Sequence, residues 1–346
     1  MSLLPLQTPR LRLRMMRTAD AGALASYRND SDVARFQSWD LPFTAGQAVQ
    51  MLARQDDVDG PTAGRWVQIA LETADGTVVG DTAVGLDATG SIATLGYTVA
   101  PPWQGNGYAG EAVGALVTAL FGQTSVHRMV ASLDPDHRAS MRVVEPLGFR
   151  YEGLARHSES IRGEWCDDLR FALLRADHLA WTERPRDRPS AVSLLPVTAD
   201  NLGAVRRLET FRFQRSFVAP MEVTLAQALV PGTENGHPVR PWFRAIAADG
   251  EIVGFVLLAA AAPGNPEPYL WRFLIDRRHQ RRGIGGRAIA ALVAGLRSEG
   301  HLSLVCSWQD GPGGPRAFYE RLGFVPTGEM DDGEVVARLA GAAFRS

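Results

Sequence analysis

Gln104-Gly105-Asn106-Gly107-Tyr108-Ala109, followed by Gly110, returns about 175 residues later as Gln280-Arg281-Arg282-Gly283-Ile284-Gly285-Gly286. Each glycine-rich turn follows a short apolar run rich in β-branched and aromatic residues, Ala93 to Val99 and Tyr269 to Ile275. Each leads into an apolar helical stretch, roughly Gly110 to Phe121 and Arg287 to Arg297. A second short strand comes next (Met129 to Leu133; Leu302 to Ser307), then a loop and a helix ending in Leu147-Gly148-Phe149 or Leu322-Gly323-Phe324. Upstream, Asp75-Gly76 and Asp249-Gly250 are hairpin turns. They predict that Trp66 to Leu71 pairs with Val78 to Val84, and Trp242 to Ala247 with Ile252 to Leu258. Antiparallel strands followed by strand–helix–strand–helix, twice over, predict a duplicated domain of mixed α/β (α+β) class.

Between the copies, Thr182-Glu183-Arg184-Pro185-Arg186-Asp187-Arg188-Pro189-Ser190 is charged, holds two prolines and lacks apolar periodicity, which reads as a linker. The domains expected are therefore residues 1–181 and 191–346. With 346 residues, 45% hydrophobic and 21% charged residues and a net charge of -2, the chain has the balance of a soluble globular protein without strong attraction to nucleic acid or anionic membrane. No apolar run approaches the ~20 residues of a spanning helix, and no secretory signal is visible at Met1 to Arg14. Cys166 and Cys306 are the only cysteines, so the expected location is a reducing cytoplasm. All 36 basic residues are arginine. Without lysine, Schiff-base chemistry and a Walker-type phosphate loop are excluded.

A glycine-rich turn between strand and helix has a physical use. Glycines let successive backbone N–H groups converge on one concavity, and the helix beginning there adds the positive end of its dipole. Such a cradle binds a pyrophosphate without lysine or metal, with Arg281, Arg282 and Arg287 as further contacts in the second copy. A plain tight turn is the bland alternative for one copy. A dinucleotide fold fits poorly, because antiparallel hairpins rather than an opening βαβ unit precede each turn.

Taken together, both halves resemble the GNAT acetyltransferase superfamily, over nearly the whole chain outside the linker and the ends. The first half resembles the Rim-type ribosomal-protein acetyltransferases in Thr8-Pro9-Arg10-Leu11-Arg12-Leu13-Arg14, Leu95-Gly96-Tyr97-Thr98, Asp134 to Gly153 and Trp165-Cys166-Asp167. The second resembles bacterial diamine and polyamine acetyltransferases in Phe217-Val218-Ala219-Pro220, Tyr269 to Asp276 and Phe318 to Phe324. The resemblance implies a mostly antiparallel sheet with a splayed central strand pair, and acetyl-CoA as co-substrate. Its pantetheine arm would lie along Tyr97, Thr98 and Val99 or Phe273, Leu274 and Ile275. Its pyrophosphate would lie on Gln104, Gly105, Asn106, Gly107, Tyr108, Ala109 and Gly110, or on Gln280, Arg281, Arg282, Gly283, Ile284, Gly285 and Gly286. It also puts His137 where the family often has a cofactor-contacting Asn.

The reaction implied is direct acetyl transfer to a primary amine. Tyr319 matches the family's acid near the cofactor sulfur, and Ser140 stands where the family places a hydroxyl. The bland readings are a core tyrosine and a helix N-cap. Asp167 is a candidate for orienting an acceptor amine, and the base is unassigned. The acceptor expected is a small-molecule or peptide amine, a (poly)amine for the second half, and a monomer is preferred. Antibiotic modification and a non-catalytic acetyl-CoA sensor or scaffold pair remain as alternatives. The seven histidines show no metal-ligand spacing, and the tryptophans come without a basic stripe, so neither a metal nor a nucleic-acid partner is expected.

Overall fold

The computed structural model describes residues 2–234, 237–264 and 266–345. The chain divides into two compact units, residues 1–183 and 184–346.

In the first unit the strands are β1 (Leu6–Gln7), β2 (Leu11–Met15), β3 (Trp66–Thr73), β4 (Val78–Leu86), β5 (Ile92–Val99), β6 (Arg128–Leu133), β7 (Arg150–Ile161) and β8 (Glu164–Leu174). The helices are α1 (Ala21–Arg28), α2 (Ser31–Ala34), α3 (Ala45–Ala53), α4 (Tyr108–Gln123), α5 (Arg138–Val144) and α6 (Arg175–Thr182). The sheet runs β1-β2-β3-β4-β5-β6-β8-β7, and among the described residues β5–β6 is the one parallel pair of its strands. The Asp-Gly turn joins β3 to β4 as its chemistry requires, and the expected pairing forms, from Trp66 opposite Gly85 onward.

Alternation along β2 buries Leu11, Leu13 and Met15 and leaves the arginines between them outside. Thr44 and Gln47 close a capping box at the start of α3. Met16, Leu24, Leu52 and Ala70 then lock α1 and α3 onto one face of the sheet, each large side chain contributing about 1.5–3 kcal/mol. Inside this face Tyr27 donates a 2.7 Å hydrogen bond to Asp81, with the Arg28 guanidinium 3.9 Å away. Burial holds the Asp81 carboxyl above its ordinary range, against the opposing pull of Arg28 and Tyr27.

The second unit has β9 (Val192–Leu195), β10 (Thr233–Glu234), β11 (His237–Pro238), β12 (Arg240–Ala248), β13 (Glu251–Ala260), β14 (Tyr269–Ile275), β15 (Ser303–Trp308), β16 (Val325–Asp331) and β17 (Glu334–Ala340). Its helices are α7 (Ala199–Arg206), α8 (Met221–Leu229), α9 (Ile284–Ser298), α10 (Arg316–Arg321) and α11 (Gly341–Arg345). The sheet order β16-β17-β15-β14-β13-β12-β9 repeats the interior of the first, again with one parallel pair, β14–β15. One face packs Ile284, Ile289 and Leu292 of α9. The other packs Val205 of α7 and Met221 and Ala228 of α8.

Both long helices start earlier than the apolar pattern suggested, at Tyr108 and Ile284. The reason is local. Gly107 and Gly283 take left-handed N-cap conformations, so helical backbone begins at the next residue and Gly110, Gly285 and Gly286 fall in the first turn.

Candidate active site

In each sheet the single parallel pair is hydrogen-bonded only at its beginning. β5 pairs with β6 at Ile92, Ala93 and Thr94. β14 pairs with β15 at Tyr269 and Leu270. Beyond Thr94 and Leu270 the strands part, while the other edges of β5 and β14 stay zipped to β4 and β13. Tyr97, Thr98, Val99, Phe273, Leu274 and Ile275 therefore present one backbone edge to an open wedge. Buried backbone polar groups need partners, so such a wedge suits an extended ligand arm with amides of its own.

A glycine-led turn closes the wide end of each wedge. Gly105 and Gly107 have φ +76° and +80°; the matching positions, Arg281 and Gly283, have +66° and +74°. The two turns thus share one backbone form, with glycine at three of the four left-handed positions. The first ladder bond of each helix is donated from Glu111 to Gly107 O (3.1 Å) and from Arg287 to Gly283 O (3.4 Å). The amides of Tyr108, Ala109 and Gly110, and of Ile284, Gly285 and Gly286, therefore stand outside the helical ladder at a positive dipole end. This is the backbone geometry from which an anion cradle is built.

The side chains around the turns divide the work differently from the sequence expectation. Gln104 and Gln280 both face inward: Nε2 of Gln104 donates to Val99 O (2.9 Å) and that of Gln280 to Ile275 O (3.0 Å), so each ties the turn to the end of its strand. Asn106 bonds to the Trp103 and Gln104 carbonyls. Arg282, expected as an anion contact, is buried with Nε on Asp187 O (2.8 Å) and Nη1 2.9 Å from His279 Nδ1. Arg287 binds the carbonyls of Pro189 and Ser190. These two arginines thus anchor residues 187–190, which pack against the second turn, and leave Arg281 exposed beside the cradle. In the first unit Arg10 plays the bracing part, bonded to Asn106 O (2.8 Å) and paired with Glu111 (2.6 Å).

The chemical groups come together unequally. In the first unit the Tyr97 hydroxyl shares a 2.6 Å hydrogen bond with Ser140 Oγ and donates to Ser140 O (3.0 Å). Burial raises the Tyr97 phenol above its ordinary range. The N-cap reading of Ser140 is overturned, because α5 starts at Arg138 with His137 as its cap. Ser140 is the third residue of that helix, buried and turned toward β5. The His137 ring stacks on Phe36 at 4.3 Å, and burial lowers its pKa. Asp167 accepts the His157 amide (2.8 Å), which braces the β7–β8 hairpin.

In the second unit Tyr319 is buried, its ring stacked on Trp308 at 5.6 Å and edge-on to Phe318 and Phe324. Burial above all, and then the nearby Cys306 and Glu334, raise its phenol well above the ordinary value. It is therefore a neutral hydrogen-bond donor at any physiological pH. Phe273, the counterpart of Tyr97, stacks on Phe318.

The pairing of two carboxylates could not be read from the sequence, where Glu334 is one of several acidic residues. Leu133 ends β6 opposite Leu169, and Trp308 ends β15 opposite Val335. The residues just before those partners are Asp168 and Glu334. Each unit thus sets a carboxylate at the same ladder position beside its wedge. Ser158 donates to Asp168 (3.2 Å), whose carboxyl is raised chiefly by burial. Ser307 donates to Glu334, and the charge of Glu334 bears on Tyr269, Arg272, Cys306 and Tyr319. No fixed spacing announces the pair: Asp168 follows Phe149 by 19 positions and Glu334 follows Phe324 by 10, because the first hairpin is longer.

Among the described residues no group of three or more His, Cys, Asp or Glu could hold a metal ion, and no helix is long and apolar enough to cross a membrane.

Both units match known proteins. Residues 10–150 match the Acetyltransferase (GNAT) domain and residues 197–324 the Acetyltransferase (GNAT) family. An uncharacterized N-acetyltransferase, p20, of Bacillus licheniformis is 31% identical over 176 residues, covering 50% of this chain and 97% of that protein. The [ribosomal protein uS5]-alanine N-acetyltransferase of Escherichia coli is 34% identical over 88 residues, 25% of this chain and 44% of that protein. The spermine/spermidine N(1)-acetyltransferase of Bacillus subtilis is 28% identical over 157 residues, 42% of this chain and 96% of that protein.

Proposed function

Since the chain belongs to the GNAT acetyltransferase family, we propose that both of its units bind acetyl-CoA and transfer the acetyl group directly to a primary amine. The observation that carries this reading is the twofold coincidence of an opened parallel strand pair with an amide cradle at its wide end. The pantetheine arm would line the free edge of Tyr97 to Val99 or Phe273 to Ile275, and the diphosphate would meet the amides of 105–110 or 281–286. The domain limits of the proposal are 1–181 and 191–346, with residues 187–190 docked on the second turn.

The chemistry needs few groups. A neutral amine attacks the thioester carbonyl; the C–N bond forms and the C–S bond breaks. Asp168 and Glu334 are the candidates to accept the amine proton in their respective units. Tyr319 would donate a hydrogen bond to the leaving sulfur. Its raised pKa makes it a stabiliser of the thiolate, with solvent completing the protonation. In the first unit the Tyr97–Ser140 pair supplies the hydroxyls. The second unit is the site for a small amine. Two free cysteines suit a reducing cytoplasm, and the paired units suit a monomer.

The test is calorimetry with acetyl-CoA and thiol release with a panel of amines, peptides and antibiotics. Two equivalents bound, amine-dependent thiol release, and loss of part of that turnover in Glu334→Gln are expected. Acetyl-CoA binding with no turnover on any acceptor would instead establish the sensor alternative.

A further inference from the structure

We propose that the acceptor of the second unit is a primary amine bearing a carboxylate, of amino-acid type, with its carboxylate on Arg272 and its amino group toward Glu334. The inference rests on the acetyl-transfer reading above and replaces the polyamine expectation for this site.

The strand register places the arginine. β14 pairs with β13 regularly from Ile275 to Arg272, then slips a residue, so that Leu257 faces Arg272 and Leu258 faces Leu270. Trp271 is the extra residue of this bulge. Bulges re-aim side chains, and here the effect is direct. Leu257 belongs to the face covered by α7 and α8, so Arg272 opposite it lies on that face, and Trp271 packs there as well. Both residues follow Leu270, the last residue of β14 paired with β15. The guanidinium therefore sits where the wedge opens.

A cavity of about 290 Å³ lies against it, lined by Gln227, Val230, Gly232, Thr233, Val239, Trp271 and Arg272. No carboxylate is among the described residues that line it. Arg272 Nη1 donates to the Trp271 carbonyl (2.7 Å). Its Nε is buried and has no hydrogen-bond partner among the described residues, and neither has the buried Gln227 Oε1. An orphaned buried donor is destabilising, and more so when charged. A ligand carboxylate removes that cost in the fork geometry arginine favours. A polycation would meet repulsion from the guanidinium instead.

The opposite charge is also provided. Val305 and Ser307 alternate with Leu304, Cys306 and Trp308, which pack on the α9 face. Ser307 therefore points to the α7/α8 face and holds Glu334 on it. A positive and a negative group thus share one face at the mouth of the wedge, as a zwitterion requires. Val230, Val239 and Trp271 leave an apolar place for a side chain. The fold itself does not demand the arginine. Arg272 lies eight positions before Gln280, and the residue eight before Gln104 is Gly96.

The experiment uses the full chain with acetyl-CoA and matched acceptors: phenylalanine against phenethylamine, leucine against isopentylamine, and spermidine. The carboxylate-bearing member of each pair should show a kcat/KM roughly tenfold or more above its neutral partner. In Arg272→Gln that ratio should fall to about one, and Arg272→Lys should keep an intermediate value. A second readout needs no turnover: 3-phenylpropionate binding to the CoA-loaded protein, followed by tryptophan fluorescence, should be lost in Arg272→Gln. Preference for a neutral amine or spermidine, or a ratio that survives Arg272→Gln, overturns the inference while acetyl transfer stands. If no amine is acetylated yet 3-phenylpropionate binds through Arg272, the anion pocket stands and the transfer reading falls. If neither occurs, both fall.

Discussion

Replacing Gly254 by alanine tests the idea that the width of the second wedge is set from behind, by the strand paired to its back edge. A Cβ built at Gly254 stands 2.5 Å from Leu274 O, 2.9 Å from Ile275 Cδ1 and 3.2 Å from Ile246 Cδ1. Ordinary contact begins near 3.4 Å, so β14 must retreat by roughly 0.5–0.9 Å, and its free direction is into the wedge. Overpacking of this kind costs about 1–3 kcal/mol, while the lost glycine freedom returns about 0.5–1 kcal/mol. A net loss of about 1–2 kcal/mol corresponds to a fall of about 2–8 °C in melting temperature for a domain of this size. The narrowed wedge should also weaken acetyl-CoA binding. Gly295→Ala is the control: it lies within α9, and its Cβ meets no atom within 4 Å. That variant should gain about 0.5–1 kcal/mol. Calorimetric melting and acetyl-CoA titration of both variants decide the matter. If Gly254→Ala melts as high as Gly295→Ala and binds acetyl-CoA as the unaltered chain does, the packing argument is wrong. Gly80 repeats the arrangement in the first unit, with its Cβ position 2.2 Å from Thr98 O.

Tyr319→Phe keeps the stack on Trp308 and removes only the hydroxyl. Turnover at the second site should fall about 10²-fold with melting temperature and acetyl-CoA affinity little changed; equal turnover would take Tyr319 out of the mechanism. His137 carries a pH prediction. Burial lowers its pKa from the ordinary 6.5, so the unfolded chain binds the proton more readily. Its contribution to stability is present above pH 6.5 and is lost as pH falls through the lower, folded value. His137→Phe preserves the ring stack on Phe36 and should lose less stability than the unaltered chain between pH 7 and pH 5 in urea unfolding. His178 and His279 shift the same way, so the slope should flatten without vanishing. An unchanged slope would exclude His137 as a contributor.

The duplication was readable in the chain because it depends on local chemistry. Asp-Gly selects a hairpin turn, alternation selects a half-buried strand, and Gln-led glycine turns select a strand-to-helix corner whatever lies around them. The location of both glycine-led turns, and the strands leading into them, followed from residues adjacent in sequence. Side-chain roles at those corners did not. Arg282 looks like an anion ligand until Asp187 O and His279 are found against it, and Ser140 looks like a helix cap until the helix is seen to begin before it.

Contacts across the sheet lay further still from the sequence. Asp168 and Glu334 are equivalent only through the ladders β6–β8 and β15–β17, since hairpins of different length hide the match along the chain. That Trp271 shares the face of Arg272 turns on a one-residue slip at Leu257/Leu258, and a slip of one residue exchanges the two sides of a strand. Local patterning determines which elements form and where the backbone can bend. Register and burial decide which side chains meet, because they depend on partners brought together by packing rather than by proximity along the chain.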